Sequence, residues 1–269
     1  MTTPEWHQQI ERYATAMRAA GRSPGTVRLH RHYLRRLAQW VGELPPAAVG
    51  TDDLRDVLGG ALWAPETRKS AVGVFRGFFR WLHGVGDRLD DPALPLETVR
   101  VPASAARPTP ELMVKQSLQT ADPRTRLMIL FAAYAGLRCA EIAQVAGHHF
   151  DGRLWLDVVG KGGKHRRVPV IHPELIYALA LTPGPLFPSP AAGREHLTPG
   201  TVTKLLSRAL PAHWTGHTLR HRMATRAYQD TGDLIHLGLV LGHARPETTR
   251  RYVQPSEDKM LAVIRAAAG

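Results

Sequence analysis

The sequence predicts a mainly α-helical chain with one small antiparallel β-hairpin, an α+β arrangement in which an all-helical first domain precedes a mixed second one. Three observations carry this expectation. Apolar residues recur at three- and four-residue spacing over much of the chain. Only one stretch, RLWLDVV followed by RRVPV between residues 153 and 170, alternates in the way of paired strands. A proline-rich break at 84–110, with Pro92, Pro95, Pro102, Pro108 and Pro110, separates the two patterned regions, and each proline removes a donor and biases its predecessor toward extended conformations. The expected organisation is a helical domain over 1–85, a linker over 86–107 and a second domain over 108–269.

Taken in order, Ser23-Pro24 reads as an N-cap with proline in the first helical position, opening SPGTVRLHRHYLRRLAQWVG. Leu34, Leu37 and Val41 form its core face, and Arg28, Arg31 and Arg35 recur at the same spacing on another face. Thr51 is placed to cap a shorter helix, DDLRDVLGGAL. The segment ETRKSAVGVFRGFFRWLHG repeats the first pattern, with Val72, Phe75, Phe79 and Leu82 as the buried stripe and Arg68, Lys69, Arg76 and Arg80 largely off it. One basic face reads as a solvated surface; two on a small domain point to phosphate contacts, because each cation that neutralises a phosphate releases counterions. The aromatic residues of this domain read as core.

In the second domain Thr109-Pro110-Glu111 marks a helix start, and RTRLMILFAAYAGLRCAEIAQVAG a helical pair interrupted at Gly136. The strands of the hairpin flank the glycine-rich turn Gly160-Lys161-Gly162-Gly163-Lys164. Thr198-Pro199 opens a further helix, and the chain after Thr215 is mostly helical.

Composition bounds the function. The chain has 269 residues, 43% of them hydrophobic and 22% charged, with 35 Lys+Arg against 23 Asp+Glu for a net charge of +12. This excludes a disordered basic tail and a chain too small to bury a core. Most of the excess falls after residue 100, where 21 basic residues face 12 acidic ones, compared with 14 and 11 before it. Cys139 is the single cysteine, so no intramolecular disulfide forms. The N-terminus lacks the apolar core of a secretory signal, and no window approaches the ~18 apolar residues of a membrane span. A soluble cytoplasmic protein with a polyanionic partner and no membrane partner is the expectation.

Several polar residues strain a purely structural account. Arg138 directly follows the apolar AAYAGL, and an unpaired charge beside a core-facing run is costly. Glu141, three residues on, is a candidate partner on the same helix face, and taken singly the pair reads as structural. His217 and Arg220 are likewise three apart; His243 and Tyr252 follow. Two arginines, two histidines, a hairpin lysine and a tyrosine, without a carboxylate-rich metal set, are the groups that suit a phosphate. Guanidinium clamps nonbridging oxygens, imidazole donates or transfers protons, and tyrosine can form a covalent intermediate.

At these residues the sequence resembles the tyrosine recombinase (phage integrase) family. AGLRCAEIAQV is similar to the block holding the family's first catalytic arginine, VGKGGKHRRVPV to the hairpin with the catalytic lysine, HTLRHRMAT to the His-x-x-Arg block, and LGHARPETTRRYV to the block with the second histidine and the nucleophile. The resemblance spans roughly residues 107–255 for catalysis, and RYATAMRAAGRSPGTVRLHRHYLRRLAQWV more loosely resembles the family's all-α, SAM-like core-binding domain. It implies that Tyr252 attacks a DNA phosphodiester, that Arg138 and Arg220 hold the scissile phosphate, that Lys161 protonates the leaving 5′ oxygen, that His217 moves the tyrosyl proton, that His243 donates a hydrogen bond to the phosphate, and that Glu141 supports them. Lys164, Arg166 and Arg167 are expected on the DNA backbone, together with Arg28, Arg31, Arg35, Arg76 and Arg80. His221 and Arg222 are assigned structural or backbone-contact roles, and His148, His149, His165 and Cys139 structural ones.

The resemblance further implies double-stranded recombination sites as partner, a homotetramer in the synaptic complex, an accessory directionality protein, a nucleoid-associated location, and no metal or other cofactor. The two-domain form, as in Cre or Xer recombinases, leaves no room for an extra N-terminal arm-binding domain, and the tail SEDKMLAVIRAAAG, with Met260, Leu261 and Ile264 on one face, is expected to dock on a neighbouring protomer. Integration or excision of a phage or mobile element is the favoured role, with dimer resolution as the alternative; a type IB topoisomerase and a non-cutting DNA-binding regulator are the competing classes.

Overall fold

A computed structural model describes residues 3–102, 106–160, 162–211, 213–243, 248–249, 252 and 264–265. The chain divides into two units, Met1–Ala103 and Ser104–Gly269. The first is helical: α1 (Pro4–Ala19), α2 (Pro24–Val41), α3 (Thr51–Gly60) and α4 (Pro65–Gly84). Ser23 caps α2 as its sequence requires, its hydroxyl accepting from the Thr26 N–H at 3.2 Å, with Pro24 in the first turn. Thr51 does not cap α3. Gly50 holds that position, the Asp53 carboxylate accepts its N–H at 2.7 Å, and the Thr51 hydroxyl donates instead to the Pro92 carbonyl at 2.9 Å.

The predicted stripe of α4 is the centre of this unit's core. Val72, Phe75, Phe79 and Leu82 are buried with Leu34 and Leu37 of α2, and Trp6 of α1 stacks on Phe78 at 5.8 Å between ring centroids. Each large apolar side chain so buried contributes about 1.5–3 kcal/mol. Part of the stretch expected as linker, 86–107, packs on this unit instead: Ala93 and Leu96 are buried in its core, and Arg88 donates to the carbonyls of Pro46 and Val49. Proline suppresses helix formation there without preventing burial of the apolar residues between the prolines.

The second unit begins with α5 (Glu111–Thr120), α6 (Pro123–Tyr134) and the single turn α7 (Cys139–Ile142). Met128 through Ala133 of α6 are all fully buried, so this part of the helix runs through the core and is apolar on every side. A three-stranded antiparallel sheet follows, β1 (His148–Phe150), β2 (Leu154–Val159) and β3 (His165–Val170) in that order. The predicted hairpin is β2–β3, with Leu156 opposite Val168 and Val158 opposite Arg166. Leu154, Leu156, Val158, Val168 and Val170 face the core. Strand β1 was not legible in the sequence because all three of its residues are exposed; its pairing to β2 alone makes it a strand. Gly162 and Gly163 turn the hairpin at φ 78° and 73°, the left-handed region where a side chain is disfavoured.

Helices α8 (Pro173–Leu181), α9 (Pro199–Ala209), α10 (Gly216–Thr231) and α11 (Leu234–Leu241) follow among the described residues. Helix α10 is capped by Thr215, whose hydroxyl accepts from Thr218 N–H. The chain leading into α5 is tied to its first turn: Thr109 N–H donates to the Thr218 carbonyl at 3.1 Å, and the two threonine hydroxyls meet at 2.8 Å. None of the described helices is long and apolar enough to cross a membrane.

Candidate active site

After α6 the chain turns at Gly136, which takes φ 64°; a Cβ there would lie 3.1 Å from both Leu241 Cδ2 and Met223 Sδ. The turn delivers Arg138 to the N-terminus of α7. Its backbone N–H donates to Glu141 Oε2 at 2.9 Å and its Nη1 to Oε1 at 2.8 Å. The Glu141 side chain is only 2% exposed, and two further arginines converge on it. Arg166 of β3 donates from Nη1 to Oε1 and from Nη2 to Oε2, both at 2.9 Å, and from Nε to the Val240 carbonyl at 2.8 Å. Arg220 of α10 lies 3.8 Å from Glu141 Oε2 and donates to the carbonyls of Gly136 and Leu241.

Three guanidinium groups thus share one carboxylate. Burial pushes the Glu141 carboxyl toward protonation, but the hydrogen bonds from Arg166 and from the Arg138 backbone, with the two arginine charges, outweigh it and hold the pKa below the ordinary value. Burial and the nearby Arg138 push the Arg220 guanidinium down to about 10, which leaves it charged at neutral pH. With one negative charge against three positive ones, the cluster keeps an excess of two positive charges. The Arg138 side chain remains 38% exposed, so the excess is accessible on that side.

Gly242 ends α11 at φ 62°, and a Cβ on it would come within 3.0 Å of Arg166 Cδ. The next residue, His243, reaches Arg220: Nη2 and His243 Nε2 are 3.3 Å apart. Its other ring nitrogen, Nδ1, is 2.8 Å from the Thr249 hydroxyl. The Tyr252 ring lies nearly parallel to His243, 6.2 Å between centroids at 12°, and meets the edge of His221 at 5.5 Å. His221 in turn is 4.2 Å from His217, and its Nδ1 accepts the Arg107 N–H at 3.0 Å. His217 is exposed, whereas Tyr252 is 2% exposed and packs with Ala224, Leu237 and Leu241.

The structure therefore brings Arg138, Glu141, Arg220, His243 and Tyr252 into one continuous set, with His217 joined to it through His221. Lys161 lies outside the described residues, as do most of the tail residues expected to dock on a neighbour; of these Ile264 is exposed. Lys164 and Arg167 are exposed on the hairpin, Arg167 3.5 Å from Asp157. Arg166 differs from its expected place on the DNA backbone. Its side chain is 12% exposed and committed to Glu141 and Val240. The signal was present, because residues 166, 168 and 170 share one strand face and Val168 and Val170 read as core.

His221, one helical turn from His217, is buried and accepts a backbone N–H, in keeping with a structural role. Arg222 is structural: it donates twice to Glu111 Oε2, at 3.0 and 2.6 Å, and its guanidinium covers the Tyr134 ring at 4.7 Å. In the first unit Arg28, Arg35 and Arg80 are exposed. Arg31 is ion-paired to Glu11, with Arg35 3.8 Å from the same carboxylate, and Arg76 donates to the Leu96 carbonyl, so these two basic faces are partly engaged within the unit.

Comparison with known proteins bears on the family and the fold. The family model of the phage integrase family matches residues 109–259. Tyrosine recombinase XerA of Thermococcus kodakarensis is 28% identical over 267 residues, covering 93% of this chain and 92% of that protein. Among solved structures, a lambda integrase (75–356) dimer bound to a COC′ core site is similar with a TM-score of 0.72 at 18% identity, covering 91% of this chain and 94% of that one. A lambda integrase tetramer bound to a Holliday junction gives 0.70 at 18% identity, over 91% and 79%. At these identities the structural likeness establishes the fold.

Proposed function

The chain belongs to the phage integrase family, the tyrosine recombinases that cleave and rejoin DNA, and from that premise we propose that it is a site-specific recombinase acting on duplex DNA through a 3′-phosphotyrosine intermediate. One observation carries the reading. Arg138 and Arg220 are fixed by a buried glutamate, retain excess positive charge, and stand next to the His243–Tyr252 pair. That is an anion site with a nucleophile beside it.

In the proposed reaction the Tyr252 oxygen attacks the scissile phosphorus, and the bond to the 5′ oxygen of the next nucleotide breaks. The tyrosyl proton passes toward His217, and Lys161 protonates the departing 5′ oxygen, leaving a 3′-phosphotyrosine and a free 5′-hydroxyl. Arg138 and Arg220 stabilise the charge that builds on the equatorial oxygens, an electrostatic contribution that is strong because their positions are set before the substrate arrives. His243 donates to the same phosphate. Attack by a 5′-hydroxyl of the partner strand reverses the steps, so phosphodiester energy is conserved and no cofactor is required. Arg28, Arg35, Arg80, Lys164 and Arg167 contact the DNA backbone, the first 85 residues forming the core-binding domain. The active assembly is a homotetramer on two DNA sites in the cytoplasm, at the nucleoid, in keeping with the tetrameric lambda integrase complex.

For the biological role we infer integration or excision of a phage or mobile element. A second reading, resolution of chromosome or plasmid dimers, is favoured by the similarity to XerA across nearly the whole chain. Plasmids with two sites in direct repeat, compared with two sites on separate molecules, distinguish resolution from integration, and a product that is merely relaxed identifies a topoisomerase. The central test is a nicked suicide substrate. Wild type is expected to form a covalent protein–DNA adduct and Tyr252→Phe none; an adduct in the variant refutes the nucleophile, and binding without any adduct in wild type supports a non-cutting regulator.

A further inference from the structure

We propose that Thr249 is a positioning residue that accepts the Nδ1 proton of the His243 ring in a hydrogen bond and so holds His243 between Arg220 and Tyr252; this rests on the recombinase reading above for its catalytic consequence. The reasoning starts from what each group can do in a hydrogen bond. A guanidinium has only donors. Because Arg220 Nη2 faces His243 Nε2 at 3.3 Å, that nitrogen must accept, and in the neutral ring the proton therefore resides on Nδ1. Nδ1–H donates to the Thr249 hydroxyl oxygen at 2.8 Å. Thr249 is 1% exposed, so water does not readily replace it.

The surroundings are built to keep this contact. The Thr249 carbonyl accepts the Tyr252 N–H at 3.0 Å, placing the hydroxyl three residues before the nucleophile on the same turn of chain. On α11, a Cβ at Gly238 would lie 3.3 Å from Thr249 Oγ1, tight enough to displace the hydroxyl, and the Gly238 carbonyl accepts the His243 N–H at 3.0 Å. One residue thus links the orientation of His243 to the backbone position of Tyr252.

The same bond serves the loaded site. When a phosphate draws Arg220 and the ring becomes an imidazolium, Nε2–H donates to a phosphate oxygen while Nδ1–H stays on Thr249. A hydroxyl acceptor is compatible with both ring states, and the ring need not rotate between them. Valine has the shape of threonine without the acceptor, and serine keeps the acceptor without the methyl group.

The test combines suicide-substrate cleavage with the 15N shifts of the His243 ring, assigned by comparison with His243→Gln. In wild type the shifts should report protonation at Nδ1. Thr249→Val should cleave about tenfold more slowly, the value of one ordinary hydrogen bond, and, with Arg220 still facing Nε2, keep the proton on Nδ1 but move the Nδ1 shift as its hydrogen bond is lost, while Thr249→Ser recovers most of the rate and the shift. Wild-type shifts reporting protonation at Nε2 overturn the proposal, as does a Val variant with the wild-type rate. A Ser variant as slow as the Val variant overturns it too, since packing of the methyl group would then be the cause. The spectroscopic measurement does not depend on cleavage: if wild type forms no adduct, the recombinase reading fails while the tautomer assignment is still decided.

Discussion

At the scale of single residues, Glu141 has the greatest structural consequence in the site. It is a buried carboxylate that neutralises one of three arginine charges, and its removal leaves Arg166 and Arg220 in a dry environment without a counter-charge. Glu141→Ala is expected to lower stability by about 3–5 kcal/mol, the cost of breaking a buried pair by deleting one partner, measured by urea unfolding. Glu141→Gln, which retains an acceptor, should cost less. The folded-state pKa of Glu141 is depressed, so its contribution is present above the pKa of an unfolded glutamate, about 4.3, and is lost as pH falls through the lower folded value. Urea midpoints for wild type should therefore decline more steeply below that pH than those of Glu141→Gln. Equal slopes would show that Glu141 is not held ionised by its arginines. The sequence made the Arg138–Glu141 pair legible through its three-residue spacing. It did not make the pairing with Arg166 legible, because the two lie 25 positions apart with two strands between them.

At the scale of elements, the site depends on how α11 ends. Gly242 combines a left-handed φ of 62° with close approach to Arg166, whereas Gly21 after α1 has a similar φ of 68° and nothing within 4 Å of its Cβ position. Gly21→Ala should cost about 1–2 kcal/mol, the left-handed penalty alone. Gly242→Ala should cost more, since Arg166 must also move and loosen its grip on Glu141. Thermal melts of the two variants compare them directly, and equal losses would mean that Arg166 yields freely. The helices themselves were well specified by local chemistry: Ser23 and Thr198 cap α2 and α9 as their sequences require. Thr51 failed as a cap because its hydroxyl found a more distant partner, the Pro92 carbonyl. Local propensity is a weak preference that one tertiary hydrogen bond overrides.

At the scale of the whole molecule, the net charge of +12 divides into arginines already bound within the protein and exposed cations that the proposed reading gives to an external polyanion. Arg28, Arg80 and Lys164 belong to the second class; Arg31, Arg76 and Arg166 largely to the first. Binding of duplex DNA should weaken linearly in log–log plots against salt, and each phosphate contact removed should reduce the slope by about 0.9. Arg28→Ala and Arg80→Ala are expected to do so. Arg31→Ala and Arg76→Ala should instead lower the melting temperature and alter the slope little; the reverse outcome would show that the ion pair with Glu11 opens on DNA.

The sequence by itself determined the helical character of both units, the hairpin, and the order of the polar residues that resemble a recombinase site. These follow from local periodicity, capping chemistry and short-range spacing, all of which are contained in a few consecutive residues. Only the tertiary structure decided that Arg166 pairs with Glu141, that Ala93 and Leu96 belong to a core, and that Thr249 and His221 bracket His243 and Tyr252. Those relations join residues far apart in the chain, and their energies exist only once burial has removed the water that would otherwise satisfy each polar group.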